Sequence, residues 1–296
     1  MLIENYFQKF GIEYDNDFST AKLSSIKTGG IAKHVVYPKT IEEFVLSIRI
    51  CRSLSERYKI IGGCTNTFFS DDGFDGAVIL TKRLTCVTFF KNEITAEAGL
   101  PLTALLKKAS YAGIELKSEL FGIPGSLGGA VRNNAGAFNA SISEIFAYGS
   151  FYDLTSDRIF KADANDLGFS YRNSILQSRN IVFLNGVFKG KRSQTDNVSE
   201  KFNEFLSRRR ESQPKDASLG SFFKRSNGII PAILIDKAGL KGKGVGRAKV
   251  SEKHAGFIIN TGGATSSDVD MLANTIEHEI LNKYGIALVR EAEFVN

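Results

Sequence analysis

Residues 122–139 read GIPGSLGGAVRNNAGAFN: five glycines, two adjacent asparagines and a single charge, Arg132. Glycine lacks a Cβ, so backbone N–H groups there can approach a ligand closely, and successive N–H groups in a turn form a concavity suited to an anion. Tight turns are the plain structural use of the same residues. A second cluster, IGGCTN (61–66), directly follows the strand-type run YKII. Asn66, Ser126, Asn133 and Asn134 bring uncharged hydrogen-bonding groups to the two clusters. Neither a GxxxxGK phosphate loop ending in Ser or Thr nor a GxGxxG fingerprint occurs in the chain, which removes the two commonest nucleotide cradles. On glycine density alone, turn and cradle both stay open.

Outward from these clusters the chain mixes helical and strand patterns. Thr40 and Glu43 have capping-box spacing, and Phe44, Val45, Ile48, Cys51 and Leu54 share one helical face, which predicts a helix over 41–57. Strand-type runs follow at 58–63, 76–81, 86–90 and 93–99, the last two joined as a hairpin through Lys91 and Asn92. A helix is expected at 102–113, then strands at 146–154 and 180–190, and helical spacing again at 198–210. The polar stretch KGKRSQTDN marks a domain boundary near 191–200. Beyond it lie a helix at 231–240 with Pro231 in its first turn, a strand at 254–260 and a helix at 267–284. That last helix has Val269, Leu272, Ile276 and Ile280 as its buried stripe, Gly285 as its stop, and a final strand, IALVREAEFV, after it. Strict βα alternation is absent, so the fold class is α+β.

Composition narrows the setting. With 43% hydrophobic and 24% charged residues in 296, the chain reads as an ordinary globular protein of about two domains. No apolar run reaches the ~20 residues of a membrane span, and the acidic, polar N-terminus is unlike a signal peptide, so a cytoplasmic protein is expected. Cys51, Cys64 and Cys86 form no CxxC pair and no metal spacing with His34, His254 or His278, which predicts neither disulfides nor a metal site. The sequons at Asn139 and Asn197 then carry no meaning. A net charge of +6 favours anionic partners without distinguishing polymers from small phosphates. Arg208, Arg209 and Arg210 read as a solvated helix end.

Taken in order, TGGIAKHVVYP (28–38), IGGCTNTFFSDDGFDGAVI (61–79), GIPGSLGGAVRNNAGAF (122–138), YRNS (171–174), GSFFKR (220–225), AGLKG (238–242), VSEKHAGFIIN (250–260) and LVREAEF (288–294) resemble the UDP-N-acetylenolpyruvoylglucosamine reductases. These are the bacterial peptidoglycan enzymes usually called MurB. The resemblance spans almost the whole chain from Thr28. It implies an N-terminal segment (1–27), a two-lobed vanillyl-alcohol-oxidase or PCMH-type FAD-binding domain (28–192) and a smaller α+β substrate-binding domain (193–296). Noncovalent FAD would be held at its pyrophosphate by Gly62, Gly63, Cys64, Thr65 and Asn66, and by Gly122, Ile123, Pro124, Gly125, Ser126, Gly128, Gly129 and Ala130. Cys64 and Thr65 stand where the family commonly has Gly and Ser.

By resemblance the activity would be NADPH-dependent, FAD-mediated reduction of UDP-N-acetylglucosamine enolpyruvate to UDP-N-acetylmuramate. That chemistry needs a cation on the substrate carboxylate, a group that polarises it as charge develops, and a proton donor. Arg172 matches the family's carboxylate-binding arginine, Ser221 its proton donor and Glu291 the glutamate acting as a hydrogen-bonding acid. Lys224 and Arg225 match the basic pair for the UDP diphosphate, although Ser226 replaces a frequent proline. The interval from Arg172 to Ser221 matches the shorter family type, without a tyrosine-bearing lid loop. A small-molecule enzyme acting as a monomer, away from membranes and nucleic acids, follows from this reading. For His254 a structural or substrate-lining place is expected rather than a catalytic one.

Two other functions compete for the same residues. Another FAD oxidoreductase of the same fold, a sugar or alcohol oxidase, often attaches its flavin through His or Cys, and only Cys64 lies in a glycine cluster. A basic nucleic-acid-binding protein would use Arg208 to Arg210 and GLKGKGVGRAK (239–249), but no RNP, zinc-finger or helix-turn-helix pattern accompanies them.

Overall fold

Thr40 shows how a local signal becomes an element boundary. Its hydroxyl accepts the Glu43 N–H at 3.2 Å, which satisfies one of the unpaired donors of a helix start. The Glu43 carboxylate reaches one residue further back than a capping box requires and accepts from Lys39 N at 2.8 Å. The helix runs Ile41–Ser53, with Phe44, Val45, Ile48 and Cys51 buried as the periodicity predicted.

The protein is described here by a computed structural model covering residues 2–226 and 228–296, without the side chains of Thr195 and Asp196. Two compact units divide the chain: Met1–Tyr14, Val35–Gly63 and Val78–Arg209 in the first, and Asp15–His34, Cys64–Ala77 and Arg210–Asn296 in the second.

The first unit is built on a five-stranded antiparallel sheet in the order Arg158–Asp163, Phe146–Asp153, Ile181–Lys189, Glu93–Glu97, Val87–Phe90. The expected hairpin is present, with Lys91 in left-handed conformation at its turn (φ 54°). Among the described residues five helices fall in this unit: α1 (Ile3–Lys9), α2 (Ile41–Ser53), α3 (Leu102–Tyr111), α4 (Leu127–Arg132) and α5 (Thr195–Ser212). Helix α1 falls where only an N-terminal segment was expected, and it buries Ile3 and Phe7. Helix α4 lies inside the glycine-rich stretch, where the sequence predicts no helix. Ser126 makes this possible by capping it, its Oγ accepting from Gly129 N at 3.4 Å. The boundary expected near 191–200 falls at the start of α5, which stays with the first unit as far as Arg209. Packing is the reason: Val198 and Phe202 join the core, and the Phe202 ring stacks on Phe121 at 4.0 Å.

A four-stranded antiparallel sheet organises the second unit, in the order Ala217–Ser221, Phe257–Asn260, Ala248–Val250, Gly244–Val245. Its helices are α6 (Pro231–Lys237) and α7 (Ser266–Tyr284). Helix α7 buries the predicted stripe of Val269, Leu272, Ile276 and Ile280, and Gly285 ends it at φ 67°. The final strand is shorter than IALVREAEFV suggested. Residues 286–289 belong to no strand, Arg290 makes an isolated bridge to Phe223, and only Glu293–Val295 forms a strand, parallel to Thr67–Phe69. A ladder needs a facing edge, and only the last three residues find one.

Candidate active site

Both glycine clusters meet inside the first unit. Strand Tyr58–Ile61 delivers Gly62 and Gly63, and the loop before α4 delivers Gly125 and Ser126. A Cβ on Gly62 would overlap Ser126 Oγ, and one on Gly63 would stand 2.8 Å from Gly125 Cα and 3.3 Å from Ser126 N. Only glycine permits two backbones to lie so close. Beside them Thr81, 4% exposed at the end of strand Phe74–Leu80, has a hydroxyl with no hydrogen-bond partner among the described residues. Its Oγ1 lies 3.7 Å from the place a Gly62 Cβ would take. A bare double backbone with a serine and a buried, unpartnered hydroxyl is a neutral donor set, and it fits a dinucleotide pyrophosphate. Sequence reasoning passed over Thr81 because nothing in GAVILT marks its last hydroxyl as unpaired.

Other residues expected at the cofactor have mixed placements. Gly122 (φ 84°) seats α5, since a Cβ there would meet Leu206 Cδ2 at 2.9 Å and Arg209 Cδ at 3.0 Å. Ile123 packs on the core, Pro124 is exposed, and Ala130 is buried. The Gly128 N–H is taken up by Ala98 O at 2.8 Å, whereas Gly129 lies exposed on α4. In the second unit Cys64 is in left-handed conformation (φ 49°), and its thiol donates to Thr67 O at 3.3 Å. Burial pushes that thiol up to about 12, so it stays protonated and inert at neutral pH. Thr65 is half-buried. The Asn66 side chain donates to Glu291 O at 2.8 Å, and Glu293 N donates to Asn66 O at 2.8 Å.

Arg172 sits in the first unit, half-buried, with φ 52° and Nη2 donating to Gly136 O at 2.6 Å. Its guanidinium also lies over the Tyr171 ring, 5.1 Å from the centroid. Segment 132–136 therefore continues from α4 to the arginine.

Ser221, Lys224 and Glu291 come together in the second unit through backbone bonds. Ser221 is the exposed last residue of its strand, following Gly220 at φ 79° and a register shift between Ser218 and Ser221. Phe222 and Phe223 are buried behind it and hold the turn. The Glu291 N–H donates to Phe222 O at 2.8 Å, and Lys224 N donates to Val289 O at 2.7 Å, so serine, lysine and glutamate occupy two adjoining segments. Arg290 anchors the second segment to α7 through Glu277 at 2.7 Å and Asp270 at 2.6 Å. Arg225 is exposed beside Lys224.

Several other readings change in three dimensions. Arg209 is not at a solvated helix end: its Nε donates to Phe121 O at 3.0 Å, and burial lowers its pKa. Each lysine of 239–249 is in an ion pair, Lys241 with Asp236 at 2.7 Å, Lys243 with Glu279 at 3.1 Å and Lys249 with Glu252 at 3.0 Å. The lysines of that loop are therefore charge-paired rather than free. His254 accepts the Gly256 N–H on Nδ1 at 3.1 Å, and burial with the nearby charges of Lys241 and Arg225 lowers its pKa. Among the described residues no cluster of three potential ligands could hold a metal ion, and no helix is long and apolar enough to cross a membrane.

Comparison with known proteins bears on the same residues. Residues 32–151 match the FAD binding domain family, and residues 213–295 match the family described as UDP-N-acetylenolpyruvoylglucosamine reductase, C-terminal domain. A protein named UDP-N-acetylenolpyruvoylglucosamine reductase from Caldicellulosiruptor saccharolyticus is 38% identical over 301 residues, covering 100% of this chain and 96% of the relative. One of the same name from Clostridium botulinum is 36% identical over 275 residues, covering 93% and 90%. The crystal structure of the reductase (MurB) from Thermus caldophilus superposes with a TM-score of 0.81 at 26% identity, over 96% of this chain and 99% of that one. BBE-like 1 (variant D396N) of Physcomitrella patens shares only the fold, with a TM-score of 0.52 at 16% identity over 64% and 44%. Glycine cradle and FAD-domain match together define an FAD-dependent oxidoreductase of the PCMH-type α+β fold. The C-terminal match and the full-length identity go further: the chain belongs to the UDP-N-acetylenolpyruvoylglucosamine reductase family.

Proposed function

We propose that this protein reduces UDP-N-acetylglucosamine enolpyruvate to UDP-N-acetylmuramate with NADPH, in bacterial peptidoglycan precursor synthesis. One observation carries the reading to the chemistry: backbone bonds of 2.7 and 2.8 Å hold the Ser221 turn, with Lys224, against the segment bearing Glu291. A weak acid, a cation and a carboxyl group are thereby set on adjoining segments, as enolate protonation requires.

Gly62, Gly63, Gly125, Ser126 and Thr81 would hold the FAD pyrophosphate. When bound, FAD supplies the hydride for one vinyl carbon, taking it from NADPH. Arg172 receives the substrate carboxylate in its planar fork, which spreads two donors over two oxygens. Glu291 hydrogen-bonds that carboxylate as negative charge builds on it. The Ser221 hydroxyl gives its proton to the neighbouring carbon, and the positive charge of Lys224 lowers the cost of the oxygen anion left behind until water reprotonates it. Lys224 and Arg225 hold the UDP diphosphate. The buried, protonated Cys64 thiol supports noncovalent cofactor. The reading includes a monomer acting in the cytoplasm on a small molecule, divided functionally at about residue 192.

Anaerobic half-reactions test it. Purified protein should be yellow, bleach with NADPH and regain colour with the enolpyruvyl nucleotide. Ser221→Ala should keep the NADPH bleaching rate and slow reoxidation by at least about a hundredfold. Equal loss of both half-reactions would remove Ser221 as the proton donor.

A further inference from the structure

Gln177 ends a single helical turn, Ile175–Gln177, five residues after Arg172 and outside every motif of the proposed chemistry. Its Nε2 lies 2.9 Å from Arg172 O, 3.2 Å from Arg132 O and 3.1 Å from Asn133 Oδ1. An amide nitrogen carries two hydrogens, so two of these three acceptors share one of them. Ser174, fully buried, adds a bond from its hydroxyl to Arg132 O at 2.8 Å. On the other side of the arginine, Asn134 Nδ2 donates to Ser170 O at 2.9 Å. The loop bearing Arg172 is therefore stapled to segment 132–136 at both ends, and Gln177 grips the arginine's own carbonyl.

That grip bears on conformation. Arg172 holds a φ of 52°, a region uncommon for residues other than glycine and stable only when the surroundings over-determine it. Its carbonyl is fixed by Gln177 and its guanidinium by Gly136 O at 2.6 Å, so backbone and side chain are restrained from opposite ends. Reciprocal backbone bonds of 3.1 and 3.2 Å between Ser170 and Asn173 close the turn that carries Arg172, and Gln177 adds the hold on its carbonyl that those two bonds leave unmade.

We propose that Gln177 is a positioning residue for the reaction: it locks Arg172 in its left-handed conformation, so that the guanidinium fork is preset for the substrate carboxylate. This rests on the reading of Arg172 as the carboxylate clamp, and the two are separable by experiment. The FAD-loaded full-length protein is compared with Gln177→Leu, Gln177→Glu, Arg172→Ala and the double variant Gln177→Leu with Arg172→Ala. Glutamate keeps the shape but turns a donor toward three oxygens into an acceptor.

Gln177→Leu should raise KM for UDP-N-acetylglucosamine enolpyruvate about tenfold, and Gln177→Glu more, with the rate of flavin reduction by NADPH unchanged within about twofold. In the Arg172→Ala background, adding Gln177→Leu should change KM no further, because both act through one group. A merely structural role would lower thermal stability and cofactor content without this pattern in KM. Should Gln177→Leu fail to fold, Gln177→Asn draws the same amide back by about one bond length, ~1.5 Å, and should raise KM likewise. An unchanged KM in the Gln177 variants beside a raised one in Arg172→Ala overturns the positioning role alone. An unchanged KM in Arg172→Ala overturns the clamp and the positioning role together, and a Gln177→Leu effect that persists without Arg172 overturns the positioning role.

Discussion

Gly63→Ala is the sharpest test of the glycine cradle. The new Cβ would stand 2.8 Å from Gly125 Cα and 3.4 Å from Gly125 C. Carbon atoms rest about 3.5–4.0 Å apart, so the two segments must part by at least ~0.7 Å. Neither neighbour is a side chain that can swing aside; both are backbone. Overpacking of this kind costs about 1–3 kcal/mol. If the apoprotein relieves the strain by opening, FAD must close it again, and its affinity should fall about 5- to 150-fold. FAD titration into apoprotein, followed by quenching of flavin fluorescence, measures this directly. A dissociation constant within about twofold of the parent would refute the claim that the cradle depends on close backbone approach. Gly129→Ala is the companion: its Cβ meets only Ser126 Oγ at 3.7 Å, an ordinary contact. Alanine also favours the helix by about 0.8–1 kcal/mol. The apoprotein should then be at least as stable as the parent, so that any lost affinity arises where the cofactor itself approaches α4.

Arg172→Lys should raise KM for the enolpyruvyl nucleotide about tenfold or more with FAD content unchanged, because a point charge cannot reproduce a planar fork; an unaltered KM removes Arg172 from the site. Burial pushes the Cys51 and Cys64 thiols up to about 12, while Cys86 is exposed. A thiolate-specific reagent should therefore titrate Cys86 rapidly in native protein and find nothing fast in Cys86→Ser; fast reaction of all three would contradict the burial. His254 has a lowered pKa in the fold, so below about pH 6.5 the unfolded chain binds a proton that the folded one does not. Its contribution is thus intact above that pH and is lost as pH falls toward the folded value. Urea unfolding over this window should show a shallower decline for His254→Gln, and parallel curves would dismiss the histidine as a cause.

Helix α7 was legible in the amino-acid order because its signals lie along consecutive residues: a buried stripe at helical spacing, and a glycine that alone takes the left-handed stop readily. The same holds for the hairpin through Lys91. The terminal strand was overdrawn because β-type composition does not say whether an edge is present to pair with.

What the sequence determined by itself was periodicity, caps, stops and the residue types that could carry flavin chemistry. Tertiary structure alone decided how those residues are used. Gly63 and Gly122 look alike in sequence, yet one faces the Gly125 backbone and the other seats Leu206 and Arg209. Arg209 looked like its neighbours, yet its guanidinium is held by the Phe121 and Glu119 carbonyls. Gln177 bears no mark in ILQS, yet it grips Arg172. The reason is physical: propensities act between chain neighbours, whereas the partner of a buried donor is set by whichever distant segment the packed core brings within about 3 Å of it.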